Sequence, residues 1–168
     1  PNAGEVIQAL RETFQDRLII GAGTVLDSET ARHAILHNAQ FIIAPNFSRE
    51  VAVMCNRYQI PYAPGCTTLT EALQALEAGA AFIKAFPISD FYGPRLVSVF
   101  KTPIPYMPIL ASGGIDLKNL KDYVLRGVDC CGFGSLLTKG SREEIAANAR
   151  SIRTLIDEAR LEMQTTAG

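Results

Sequence analysis

Neither sign of charge dominates this sequence. Sixteen Lys and Arg face seventeen Asp and Glu, and no basic tract or acidic tail stands out. There is thus no electrostatic footprint for nucleic acid and no solvated arm. No apolar run approaches the roughly 20 residues that span a bilayer, and the first residues contain no secretory h-region. Histidine is scarce, with two in 168 residues. His33 and His37 stand four apart on a helical segment, but no Glu follows His33 and no third ligand is evident. The HExxH zinc signature is not met, and a solvated helix face is the reading. Four cysteines, at positions 55, 66, 130 and 131, lack CxxC spacing. They read as reduced core cysteines of a cytosolic protein, with no disulfide framework and no metal site.

What is present is an ordinary globular composition, 48% hydrophobic and 20% charged, in a length that suits one domain. The chain opens on Pro1-Asn2-Ala3 and a helix with Val6, Ile7, Leu10 and Phe14 on one face. Strands are predicted at 17–20, 41–44, 60–63, 80–86, 107–111 and 128–133, each followed by a helical pattern. Asp27, Ser48, Asp116 and the capping boxes Thr68-x-x-Glu71 and Ser141-x-x-Glu144 mark helix starts. Leu73 and Leu76 are placed inside, a loop is expected from Ser89 to Gly93, and fraying from Gln164 to Gly168. A strand every 20-odd residues with a helix after each is a βα repeat and implies a parallel sheet. Turn residues cluster just after the strands, the catalytic side of such folds.

One charge stands inside an apolar strand. Ala80-Ala81-Phe82-Ile83-Lys84-Ala85-Phe86-Pro87 reads as a strand buried on both faces, with Lys84 near its C-terminal end. Burial disfavours the ammonium form and lowers the lysine pKa, which suits Schiff-base chemistry on a carbonyl. A gatekeeper lysine on an edge strand has the same pattern.

Gly21-Ala22-Gly23-Thr24-Val25-Leu26 begins like a dinucleotide fingerprint. It lacks the third glycine and the later acidic residue, so nucleotide binding is rejected. Thr24 offers a hydroxyl to a substrate there instead. Gly113-Gly114 and Gly134-Ser135 end the last two strands, where α/β barrels often hold a phosphate through backbone N–H groups. They also fit simple turns. Glu71 is explained by its capping box rather than as a base.

The segments Gly21-Ala22-Gly23-Thr24-Val25, Ala44-Pro45, Pro64-Gly65, Ile83-Lys84-Ala85-Phe86-Pro87 and Gly113-Gly114-Ile115 resemble, in order and spacing, the aldolases that cleave 2-keto-3-deoxy-6-phosphogluconate (KDPG). That family also includes the 4-hydroxy-2-oxoglutarate (KHG) and 6-phosphogalactonate aldolases. Pro64-Gly65-Cys66 and Phe91-Tyr92-Gly93-Pro94 look more like the phosphogalactonate branch. The resemblance implies a (β/α)8 barrel, a homotrimer, a phosphorylated keto acid substrate and a class I mechanism without metal or cofactor. Lys84 would carry the Schiff base and Thr24 would hold the substrate carboxylate. Pro45 and Phe86 would line the pocket, and Gly113, Gly114, Gly134 and Ser135 would take the phosphate. Ser112 departs from the family's usual threonine.

Three readings follow. The first is an aldolase that releases pyruvate and an aldehyde such as glyceraldehyde 3-phosphate. The others are a barrel synthase or isomerase using the same phosphate loops, and a catalytically silent phosphate-binding subunit. A closed barrel needs eight strands and six are counted. The expectation is therefore a single domain over 1–168 that lacks the first two βα units. The family's catalytic glutamate and carboxylate-binding arginine belong to the second strand, which would lie just before Pro1.

Overall fold

The computed structural model describes residues 2–87 and 89–166. The chain falls into two compact units, one up to Lys84 and one from Ala85 onwards. Pro1 and the last two residues of the expected frayed end lie outside the described residues.

In the first unit, α1 (Ala3–Phe14) and α2 (Ser28–Leu36) precede β1 (Ile42–Ile43), α3 (Arg49–Tyr58), β2 (Tyr62–Ala63), β3 (Gly65–Cys66) and α4 (Leu69–Glu77). The unit ends in β4 (Ile83–Ala85), whose last residue opens the second unit. The strands run parallel: Ile42 pairs with Tyr62 and Ile43 with Ala63, and Ala22 bridges Ile42. The ladder continues as Lys84 N–H donates to the Pro64 carbonyl at 2.9 Å. The core lies between these strands and the helices, with Ala31, Ile42, Val51 and Cys55 fully buried.

Capping chemistry sets the helix starts. The Asp27 carboxylate accepts from Thr30 N–H, the Ser48 hydroxyl from Val51 N–H and the Thr68 hydroxyl from Glu71 N–H. The Glu71 carboxylate closes its box by accepting from Thr68 N–H at 2.9 Å. Each bond satisfies an amide that has no partner inside the helix.

The second unit holds α5 (Ser89–Tyr92), α6 (Arg95–Lys101), β5 (Ile109–Ser112), α7 (Leu120–Leu125), β6 (Cys130–Gly132), α8 (Ser135–Thr138) and α9 (Arg142–Thr166). β5 and β6 are parallel, with Leu110 opposite Cys130 and Ser112 opposite Gly132. Lys101 and Ile109 N–H both reach the Asp129 carboxylate, at 2.8 and 2.7 Å, and so fix the start of the β5–β6 pair. Leu96, Val97 and Phe100 of α6 are buried. No helix among the described residues is long and apolar enough to cross a membrane.

Several local expectations are corrected. Gln15–Arg17 is a 3-10 turn, and Ile19 is 74% exposed, so the first ladder contacts form only at Ile20 and Ala22. Val6 and Leu10 are exposed while Ile7 is buried, because α1 seats its Gly4–Ile7 side. In α4 the buried residues are Ala72 and Ala75, and Leu73 is exposed. Small side chains let a helix approach the sheet closely, and a reading that weights bulky residues misses them. Asp116 caps a turn rather than α7, which starts at Leu120. Ser89–Tyr92 is one helical turn, not open loop. Cys55 and Cys66 are buried, whereas Cys130 is exposed and Cys131 half-buried; all four are free thiols.

Candidate active site

Within the first unit, Thr24, Pro45 and Lys84 each stand at the C-terminal end of a parallel strand. Backbone hydrogen bonds chain these ends together. Val25 N–H donates to the Ile43 carbonyl at 3.1 Å, Gly65 N–H to Ala44 at 3.0 Å, and Lys84 N–H to Pro64 at 2.9 Å. Gly65 lets the middle of this chain close up. A Cβ built on it would fall on the Pro45 carbonyl group and 3.0 Å from Asn46 N.

Lys84 is half-buried between fully buried Ile83 and Ala85. Desolvation holds its ammonium below the usual lysine range. Lys101 and Lys121 each sit 2.8 Å from a carboxylate, of Asp129 and Glu162 respectively. The Glu162 carboxylate pushes the Lys121 pKa up by hydrogen bonding and charge.

Thr24 has φ of 59°, a left-handed conformation that a β-branched residue adopts only under constraint. The constraint is visible on both sides. Ala22 is fixed by its bridge to Ile42, and Val25 is 1% exposed in the core.

Sequence reasoning missed Tyr62. Its ring is 2% exposed, and its hydroxyl donates to the Asn46 carbonyl and accepts from Ser48 N–H, both at 3.3 Å. Tyr62 thereby secures the loop that carries Pro45. Burial pushes its pKa up to about 12, so it remains a phenol. The Cys66 thiol, also raised by burial to about 12, is no thiolate nucleophile. A polar residue inside a predicted strand was the only signal for Tyr62.

Phe86, half-buried, lies just past β4. In the second unit, Gly113, Gly114, Gly134 and Ser135 come together, because β5 and β6 are adjacent and end level. With Ser112, Ile115, Asp116, Gly132 and Phe133 they line a concave cleft of about 540 Å³. Gly113 and Gly114 have φ of 98° and 65°, a conformation that glycine alone adopts at little cost. With no side chain at either position, a ligand in the cleft could approach this backbone closely.

The rejected candidates also have places. Glu71 accepts from Thr67 N–H at 2.8 Å as well as from Thr68, and these backbone bonds lower its pKa. The His33 and His37 rings lie 4.3 Å apart. A Cβ on Gly4 would stand 2.8 Å from His33 Nε2 and 2.9 Å from the His37 ring. Both rings thus lie beside the start of α1, yet His33 remains exposed and His37 half-buried, in keeping with a largely solvated helix face. Among the described residues, no three His, Cys, Asp or Glu side chains cluster as a metal site.

The family model for KDPG and KHG aldolases matches residues 1–152. The chain belongs to this aldolase family. It is 36% identical over 143 residues to the 2-dehydro-3-deoxy-6-phosphogalactonate aldolase of Escherichia coli, covering 84% of this chain and 69% of that protein. It is 37% identical over 122 residues to the 2-dehydro-3-deoxy-phosphogluconate aldolase of Treponema pallidum, covering 73% of this chain and 58% of the relative. A native KDPGal structure superposes with a TM-score of 0.86 at 35% identity, over 92% of this chain and 76% of that one. KDPG aldolase from Legionella pneumophila, with pyruvate captured as a covalent carbinolamine, superposes at 0.75 and 30% identity, over 95% and 74%. The fold is the α/β barrel fold of these aldolases.

Proposed function

We propose that this protein is a class I aldolase acting on a 2-keto-3-deoxy-6-phospho sugar acid, of the phosphogluconate or phosphogalactonate type, or on 4-hydroxy-2-oxoglutarate. The observation that carries the reading is a lysine at the catalytic end of a buried strand, whose ammonium is disfavoured by desolvation. The neutral Lys84 amine adds to the substrate C2 carbonyl, and the carbinolamine loses water to give an iminium ion. A base removes the C4 hydroxyl proton, and the C3–C4 bond breaks with its electron pair drawn into the iminium. The aldehyde leaves, as glyceraldehyde 3-phosphate for the phosphorylated substrates. The enamine takes a proton at C3, and hydrolysis frees pyruvate and the lysine. The electrophile is the lysine's own imine, so the step calls for no metal or cofactor.

In this reading Thr24 holds the substrate carboxylate, Pro45 and Phe86 line the pocket, and Gly113, Gly114, Gly134 and Ser135 take the phosphate. Covalent capture of pyruvate by a family member of similar fold supports the lysine's role. A cytoplasmic homotrimer belongs to the same proposal. The test is reduction with borohydride in the presence of pyruvate, followed by peptide mapping. An adduct at Lys84 is expected. An adduct on Lys101, Lys118, Lys121 or Lys139, or no adduct, refutes the mechanism.

A further inference from the structure

We infer that Asn119 is a positioning residue for the phosphate loop, an inference that rests on the phosphate role just proposed for the Gly113-Gly114 cleft. The Asn119 amide nitrogen donates to the Gly114 carbonyl at 2.8 Å, and its amide oxygen accepts from Asp116 N–H at 3.0 Å. One planar side-chain group therefore spans the glycine loop and the turn that follows it. The turn is closed from the other side, since the Asp116 carboxylate accepts from Lys118 N–H at 2.8 Å and Asn119 N–H at 3.0 Å.

This spanning amide sets a direction. Gly113 and Gly114 both have positive φ and little intrinsic preference among backbone states. A loop of such residues must be oriented by something outside itself. With the Gly114 carbonyl tied to Asn119, the planar trans peptide sends the Ile115 N–H the opposite way. Ile115 lines the cleft and anchors the loop by burying its side chain to 8% exposure. The Asp116 carboxylate, which would repel an anion, is engaged by two amides of its own turn. Asn119 thus presents donors to the cleft without touching the phosphate itself.

The test uses the full chain and glycerol 3-phosphate, a probe with the phosphate but no keto acid. Calorimetry on Asn119→Ala should show Kd weakened about tenfold, the scale of one lost hydrogen bond with a loosened loop. Borohydride trapping of pyruvate at Lys84, which needs no phosphate, should change by less than about twofold. Asn119→Ser is a milder change, and serves if the alanine variant does not fold; about threefold is expected there. Equal losses in probe binding and in trapping mean a merely structural residue and overturn the inference. So does unchanged probe binding in either variant, with the phosphate site left standing. If the wild-type chain fails to bind the probe, the phosphate reading falls first and this inference with it.

Discussion

Replacing Gly65 with alanine tests how the strand ends are held. Gly65 has no left-handed φ, so alanine meets no backbone strain there and the effect is steric. The new methyl would coincide with the Pro45 carbonyl group, which is backbone and has no rotamer to escape into. Restoring an ordinary contact requires a shift on the order of 1 Å. That stretches the 3.0 Å bond from Gly65 N–H to Ala44 past bonding range and strains the 3.2 Å bond from Ala44 N–H to Ala63. Overpacking costs about 1–3 kcal/mol, and two weakened backbone bonds add about 1 kcal/mol each. The sum, roughly 3–5 kcal/mol, is a large share of the ~5–15 kcal/mol that holds a typical protein folded. At ~2–4 °C per kcal/mol for a chain of this size, Tm should fall by about 10 °C. Thermal unfolding followed by circular dichroism reads this directly. Gly23→Ala is the control, since a Cβ there meets nothing within 4 Å. Trapping of pyruvate at Lys84 should also slow, because Pro64 accepts the Lys84 N–H. If Gly65→Ala unfolds within ~2 °C of both wild type and control, the close approach of the two strands is not real.

Three further outcomes are expected. Because desolvation lowers the Lys84 pKa, the rate of imine trapping should rise with pH and level off below the usual lysine range; a rise that continues through that range would contradict the burial argument. The same shift makes Lys84 a stability cost below its folded pKa, and this cost disappears as pH rises toward the unfolded value. Glu71→Ala should lower stability by about 1–2 kcal/mol at neutral pH through loss of the capping box. Since its backbone bonds depress the Glu71 pKa, its contribution should be present above the ordinary Glu pKa and fade as pH falls through the folded value. Lys84 trapping should survive that substitution; its loss would reinstate Glu71 as a base. Gly114→Asp, which adds bulk and like charge to the cleft, should reduce discrimination against unphosphorylated 4-hydroxy-2-oxoglutarate by tenfold or more, measured as the ratio of kcat/KM values. Equal losses on both substrates would remove the phosphate from that cleft.

The parallel βα order was legible because strands, glycine turns and helix caps recur in register with one another. Ser48, the Thr68–Glu71 box and Asp27 were readable because capping is local chemistry. Less legible was the inward face wherever alanine does the packing, as with Ala72 and Ala75 beside the exposed Leu73. Asp116 misled for a related reason: it caps, but what it caps is a turn held by Asn119, and only the distances separate the two. The packing of Gly4 on His33 and His37 joins two helices across a turn, and no periodicity in either helix announces it. The site divides similarly. Lys84 and the glycine loops show in the sequence as a charge and as breaks in apolar runs. Tyr62 acts through a buried hydroxyl on a loop fourteen residues away in its hydrogen bond to Ser48, which is invisible without the fold.

Thr24 shows a conflict between durability and chemistry. Its left-handed backbone costs a branched residue about 1 kcal/mol that glycine would not incur. A laboratory evolution experiment that rewards only heat resistance should therefore discard this threonine early. One that rewards only turnover should keep it and recover the lost stability at other positions. The two pressures would leave different residues at position 24, and the split itself would reveal whether the hydroxyl or the turn is what the protein needs there.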